Sequence, residues 1–156
     1  MRKVTSGLVS PDTGIDLGPL PDLLGYQLRL TQIAVFEDFA HTLTTSDITP
    51  GRFSVLLLVG ANPGIIQSRL AQALRLDRSS MVPLLDQMER LGLVERKPDP
   101  GDRRSNCLWL TPHGESLLAE LKQLVVVHEQ RICAPLSPEE RTQLQSLLLK
   151  VREACR

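Results

Sequence analysis

The sequence predicts a mainly α chain with one small β-hairpin, an α+β fold in which helices bury most of the core. Three observations predict it. Apolar residues recur three or four positions apart over most of the chain beyond residue 20. Four of the helical stretches open on a capping side chain, and in three of them proline follows at once: Thr49-Pro50, Thr111-Pro112 and Ser137-Pro138. The period changes to two only on either side of Pro98-Asp99-Pro100-Gly101-Asp102. The 156 residues can enclose a core without metal or disulfide, and 42% hydrophobic with 23% charged residues excludes disordered, collagen-like and strongly acidic classes.

Residues 1–19 hold Gly7, Pro11, Gly14, Gly18 and Pro19 without periodicity and are expected to form a flexible arm. From Pro21 to Thr44, Leu24, Leu28, Thr31, Val35 and Phe39 mark a long, largely buried helix, so that residues 20–48 form one segment. A second helix starts at Pro50 with Phe53, Leu56, Leu57 and Gly60 inward and stops at Asn62-Pro63-Gly64. A short third helix carries Ile66, Leu70, Ala73 and Leu74. Asp77 then caps a fourth, whose stripe is Met81, Leu84, Leu85, Met88 and Leu91 and whose end is Gly92. Leu93–Lys97 and Asn106–Leu110 form the hairpin. Pro112 opens a long helix to about Ile132, which Ala134-Pro135 ends. Ser137 and Glu140 form a capping box for the last helix, with Leu144, Leu147, Leu148, Val151 and Ala154 on one face.

Two short helices, a tight link and a basic hairpin make a winged helix-turn-helix over residues 49–110, and residues 111–156 supply two further helices of the same structural domain. In such a unit the second helix of the motif enters the major groove and the hairpin reaches the DNA backbone or minor groove. The charge distribution agrees: residues 66–106 carry eight Lys/Arg against six Asp/Glu, residues 1–65 four against six, within a chain of zero net charge. With its apolar stripe inward, the reading helix turns Ser79, Val82, Pro83, Asp86 and Arg90 outward, with Arg78, Ser80 and Gln87 on the flanks. Side chains able to make two bonds to one base are scarce: Gln87 can pair with adenine only if it lies deep enough in the groove, and Val82 and Pro83 can touch only thymine methyls. Phosphate contacts by arginines therefore carry affinity, with groove shape adding specificity. Arg96, Lys97, Arg103 and Arg104 flank the hairpin tip and are expected to reach DNA. Pro83 bends the reading helix if that helix starts at Arg78, and is tolerated in the first turn if Ser79 or Ser80 is the cap.

These segments carry a resemblance. Gln67-Ser68-Arg69-Leu70-Ala71-Gln72-Ala73-Leu74, Asp77-Arg78-Ser79-Ser80-Met81-Val82, Leu91-Gly92-Leu93-Val94-Glu95-Arg96, and Asp102-Arg103-Arg104 leading to Leu110-Thr111-Pro112-His113-Gly114 are similar to the MarR family of bacterial transcription regulators, from about Ile48 to Leu118. The resemblance implies DNA contacts from Gln67, Ser68, Arg78, Ser79, Ser80, Val82, Pro83, Gln87, Arg96, Arg103 and Arg104, with Asp102 bracing the wing. It implies a homodimer in which the first helix and the last two interlock and present two reading heads to a pseudo-palindromic duplex. It also implies a small aromatic acid or related effector that releases a repressor of aromatic-compound catabolism or efflux genes. Gly25-Tyr26-Gln27-Leu28-Arg29, Ala34-Val35-Phe36-Glu37-Asp38-Phe39 and Ala61-Asn62-Pro63-Gly64 resemble a subgroup that senses hydroxycinnamoyl-coenzyme A thioesters. Hydroperoxide-sensing members carry a cysteine early in the first helix, and no cysteine precedes Cys107 here.

Tyr26, Arg29, Ile33 and Phe36 lie three or four apart, a cationic and aromatic face for such an effector; alternatively Tyr26 and Phe36 are dimer core and Arg29 an ion-pair partner. Trp109 is read as packing at the wing base, and His128 as a buried or interface histidine. His41, His113 and His128 have no metal-ligand spacing, and no cofactor or catalytic motif is present. Cys107, Cys133 and Cys155 are an odd number without a C-x-x-C pair and are expected to be reduced thiols. No apolar run is long enough to span a membrane and the start lacks a secretory signal, so a cytoplasmic chain is expected. The competing readings are a winged-helix protein-interaction module that binds no DNA, and a thiol-dependent hydrolase using Cys107 or Cys133 with a histidine.

Overall fold

The computed structural model describes residues 14–43, 48–99, 101 and 106–155. The chain divides into two compact units, Met1–Asp38 and Phe39–Arg156, with the boundary inside the first long helix.

In the first unit, residues 14–19 form no helix, and the Gly18 N–H donates to Asp16 Oδ1 at 2.9 Å. A 3-10 turn, Leu20–Asp22, precedes α1 (Leu24–Thr42). The expected single helix from Pro21 is thus interrupted, because Leu23 takes extended backbone (ψ 123°) after the proline-containing turn. Gln27 Nε2 donates to the Pro21 carbonyl at 2.7 Å and ties turn to helix. The expectation of a largely buried helix does not hold for one chain. Phe39 is the only buried residue described in α1, whereas Leu24, Leu30, Ile33 and Phe36 are 40–59% exposed.

In the second unit, Thr49 caps α2 (Pro50–Ala61) by accepting from the Arg52 N–H at 3.3 Å. Phe53, Val55, Leu56 and Val59 are buried, a wider arc than the predicted face, because α2 packs against α5 (Pro112–Cys133), α3 (Gln67–Leu74) and the sheet. Leu57 is only half-buried. At Gly60 a Cβ would lie 2.8 Å from Leu118 Cδ2 and 3.1 Å from Leu110 Cδ1, so the glycine permits close approach. Gly64 adopts φ +80° and turns the chain into β1 (Ile65–Ile66), a two-residue strand too short to show alternation in the sequence. Ile66 therefore belongs to a strand and not to the third helix, where Leu70 is the buried residue and Ala73 is exposed.

α3 ends at Arg75, a non-glycine residue in the left-handed region (φ 54°), with the Leu76 N–H donating to the Ala71 carbonyl at 3.0 Å. α4 (Arg78–Arg90) buries Met81, Leu85 and Met88; Leu84 is half-buried, and Leu91 lies just beyond the helix and is exposed. β2 (Val94–Pro98) and β3 (Asn106–Leu110) pair antiparallel from Val94↔Leu110 to Pro98↔Asn106, and β1 adds to the other side of β3, giving the order β1-β3-β2. The hairpin is as expected; the third strand is additional. Phe39, Phe53 and His128 share one end of the core, with the His128 ring edge-on to Phe39 at 5.4 Å. α6 (Pro138–Ala154) carries the predicted capping box: Ser137 N–H donates to Glu140 Oε2 at 2.8 Å, and Glu140 N–H to Ser137 Oγ at 3.2 Å. No residue described in α6 is buried, and Leu144, Leu147, Leu148 and Leu149 are 41–48% exposed.

Candidate nucleic-acid interface

The first helix-turn-helix element presents Gln67 and Ser68 at its start, directly after the β1 strand that fixes it to the wing. The second presents Arg78, Ser79 and Ser80 in its first turn. Between them runs an open groove of about 490 Å³, lined in part by Gln67, Ser68, Gln72, Arg78 and, from the wing, Asn106. Donors and acceptors from three elements thus face one concave surface. Gln72 and Asn106 carry no signal in the sequence, because nothing in a linear pattern says that the first residue of β3 lines the same groove as the start of α4.

Asp77 determines where α4 begins. Its Oδ1 accepts from the Ser80 N–H at 2.7 Å and from the Ser79 hydroxyl at 2.6 Å. The Ser79 hydroxyl, followed by the Ser80 amide, holds the Asp77 carboxyl below its ordinary value of 3.8. Neither Ser79 nor Ser80 is therefore the cap, and Pro83 lies inside the helix, where its missing N–H deprives the Ser79 carbonyl of its helical partner. α4 nevertheless continues through it to Arg90. Ser79 donates its hydroxyl proton to Asp77, which leaves its oxygen as an acceptor and removes it as a ready donor to DNA. Ser80 and Pro83 are exposed and Val82 is half-buried.

Arg96 requires a correction. Expected on the DNA-reaching hairpin, it points back to α4, with Nη1 donating to Asp86 Oδ1 at 2.7 Å and to Glu89 Oε2. Its backbone N–H donates to Glu89 Oε1 at 3.1 Å, and its side chain is only 18% exposed. Two carboxylates claim its charge, so it braces wing against helix. Asp86, expected outward, is the half-buried partner in that clamp. Lys97 pairs with Glu95 at 2.5 Å and stands 5.5 Å from the centre of the Trp109 ring. Trp109 is 38% exposed and packs over Gly64, where a Cβ would lie 3.0 Å from the ring; the inward residue of β3 is Leu108. Asp102, Arg103 and Arg104 lie outside the described residues.

Gln87 is exposed on α4, and its Oε1 accepts from Arg52 Nη2 of α2 at 2.7 Å. Arg52 was not predicted, because 35 residues separate it from its partner. On α1, Tyr26, Arg29, Ile33 and Phe36 recur at helical spacing; Tyr26 is half-buried and the other three are exposed. Among the described residues no cluster of three metal-ligating side chains occurs. Cys107, Cys133 and Cys155 are free thiols.

This geometry coincides with known proteins. A profile of the MarR family matches residues 46–105. The putative transcriptional regulatory protein for the hcr operon of Thauera aromatica is 43% identical over 135 residues, 86% of this chain and 81% of that protein. The chain belongs to the MarR family of transcriptional regulators. Among solved structures, the transcriptional repressor CouR bound to a 23-mer DNA duplex superposes with a TM-score of 0.83 at 42% identity, covering 88% of this chain and 98% of that one. CouR bound to p-coumaroyl-CoA gives 0.82 at 40% identity, covering 88% and 97%. In this MarR-family chain the Arg96 clamp ties β2 to α4. Among the described residues no helix is long and apolar enough to cross a membrane.

Proposed function

We propose that the chain is a homodimeric repressor that binds a pseudo-palindromic operator and leaves it when an aromatic acid, carried as its coenzyme A thioester, binds. The observation that carries this reading is the groove in which Gln67, Ser68, Arg78 and Asn106 meet, in a chain that is 42% identical to a repressor solved on a DNA duplex. α4 enters the major groove with its N-terminal turn, Ser68, Ser80 and Asn106 bond to phosphates or base edges, and Arg78, Arg103 and Arg104 supply the charge that counters the backbone. Residues 20–48 and 111–156 form the dimer region. Leu144, Leu147 and Leu148 on α6, with Val126 and Val127 on α5, are 41–52% exposed in the single chain, which is the surface a second copy would bury.

The effector reading rests on Tyr26, Arg29, Ile33 and Phe36 and on the likeness to a repressor solved with p-coumaroyl-CoA. A thioester supplies an aryl group for Tyr26 and Phe36 and phosphates for Arg29. It releases DNA only if it binds the DNA-incompetent arrangement more tightly than the competent one. The chain regulates and does not turn over its ligand, and it works in the compartment that holds the chromosome.

The test is a gel shift with the duplex upstream of its own coding sequence. Binding should weaken steeply as salt rises and should be relieved by p-coumaroyl-CoA but not by coenzyme A alone. Arg29→Ala should bind the duplex as before and respond less to the thioester. Binding that ignores salt, or release by coenzyme A alone, would overturn the reading.

A further inference from the structure

We infer that Arg75 is a DNA-backbone contact, and that an arginine occupies the left-handed turn between α3 and α4 because its charge is needed there for binding. The inference rests on the proposed DNA-binding reading and adds to it a residue outside the contacts expected from the sequence.

The turn is built for glycine. The Arg75 N–H donates to the Gln72 carbonyl at 3.2 Å and the Leu76 N–H to the Ala71 carbonyl at 3.0 Å, the pair of bonds that closes a helix on a left-handed residue. Glycine takes that place most often, since a Cβ there crowds the following carbonyl oxygen. Here Arg75 takes it at φ 54°, and among the described residues no other non-glycine residue has a positive φ. Backbone outliers of this kind gather at sites where the side chain has a task.

That task does not lie within the chain. The Arg75 side chain is exposed and makes no hydrogen bond or ion pair among the described residues. Cations of the wing and of the end of α4 are engaged instead: Arg96 by Asp86 and Glu89, Lys97 by Glu95, and Arg90 by the Asp86 carbonyl at 3.3 Å. Ser68, Gln72 and Arg75 stand at i, i+4 and i+7 along α3 and its cap, opposite the buried Leu70. Ser68 and Gln72 line the open groove with Leu76 and Arg78, which follow Arg75 in the chain. Arg75 thus extends a groove-lining row with an unengaged guanidinium, a permanently charged fork of donors that matches a phosphate. Such a contact holds the reading helix in register on the duplex and carries no base preference.

The test is a salt titration of affinity for two duplexes, the one upstream of the chain's own coding sequence and an unrelated one of equal length. Wild type, Arg75→Lys, Arg75→Asn and Arg75→Gly are compared, with Tm measured on the same preparations. Asparagine and glycine both suit the left-handed turn and carry no charge. Arg75→Gly should raise Tm and Arg75→Asn should not lower it. Both should weaken binding to the two duplexes by the same factor, about eightfold at roughly 0.1 M salt for each copy of the chain bound, and lower the slope of log affinity against log salt by about one per copy. Arg75→Lys, which keeps the charge, should keep the slope. Unchanged affinity, a loss confined to the upstream duplex, or a lowered slope in Arg75→Lys would each overturn the inference. So would weaker binding at an unchanged slope, which marks an altered turn and not a lost phosphate contact, and so would a lower Tm for Arg75→Gly, which marks an arginine that serves folding. If the wild-type chain binds neither duplex in a salt-dependent way, the DNA-binding reading beneath the inference falls instead.

Discussion

Arg96 Nη1 donates to Asp86 Oδ1 at 2.7 Å, so β2, an edge strand of the wing, is held to the flank of α4. Glu89 completes the clamp from one turn further along, taking both the side chain and the backbone N–H of Arg96. Three charged groups on a part-buried surface therefore tie β2 to α4, beside the apolar core that both elements share.

Replacing Arg96 by Met should cost about 1–2 kcal/mol in urea unfolding, the scale of a part-exposed charged hydrogen-bond network. It should weaken operator binding without changing the slope of log affinity against log salt, because its charge is spent inside the protein. Arg78→Ala should lower that slope by about one while leaving stability nearly unchanged. The two slopes, measured side by side, separate a bracing arginine from a phosphate-binding one.

Gly114 lies where α5 starts beneath the wing. A Cβ there would lie 2.0 Å from the Leu93 carbonyl oxygen, a backbone atom that cannot step aside. The same corner is tied by the Thr111 N–H donating to the Leu93 carbonyl at 3.1 Å and the Thr111 hydroxyl donating to the Gly92 carbonyl. Gly114→Ala should therefore lose about 3 kcal/mol or more, whereas Gly60→Ala, which meets the movable end of Leu118, should lose about 1. Denaturant melts at one fixed chain concentration would show the difference.

Arg75 closes α3 with φ 54°, a conformation that disfavours any Cβ. Arg75→Gly should raise stability by about 0.5–1 kcal/mol, and Gly92→Ala, at φ +64° with open space around it, should lower it by about as much. Opposite shifts in Tm from these two substitutions are the expected result.

The Asp77 carboxyl titrates below 3.8 in the folded chain because the Ser79 hydroxyl and the Ser80 amide bond its ionised form. A depressed carboxyl contributes its stabilisation in full above the unfolded-state pKa and loses it as pH falls through the folded one. Thermal melts of the wild-type chain should therefore fall faster below about pH 4 than those of Asp77→Asn, which caps without titrating. Parallel curves would show that the cap bonds contribute nothing to acid sensitivity.

The helices, their caps and the hairpin were legible in the sequence because each is a short-range matter. Thr49, Asp77, Thr111 and Ser137 all cap as read, since a cap needs only residues two or three positions away. The apolar spacing likewise marked α4 and its buried Met81, Leu85 and Met88. Burial on α1 is less than the spacing suggests: periodicity says that a face is apolar, not that the same chain covers it.

The sequence by itself determined the order of the α-helices and the hairpin, because backbone propensity and side-chain period act over one or two turns, and its motifs determined the family to which the chain belongs. Only the tertiary structure decided that Arg96 turns inward to Asp86 and Glu89, that β1 joins the wing, and that Arg52 meets Gln87. Those pairings join residues from 7 to about 40 positions apart, and which of many charged or polar groups become neighbours depends on how the helices pack around a shared core, information that no local spacing carries.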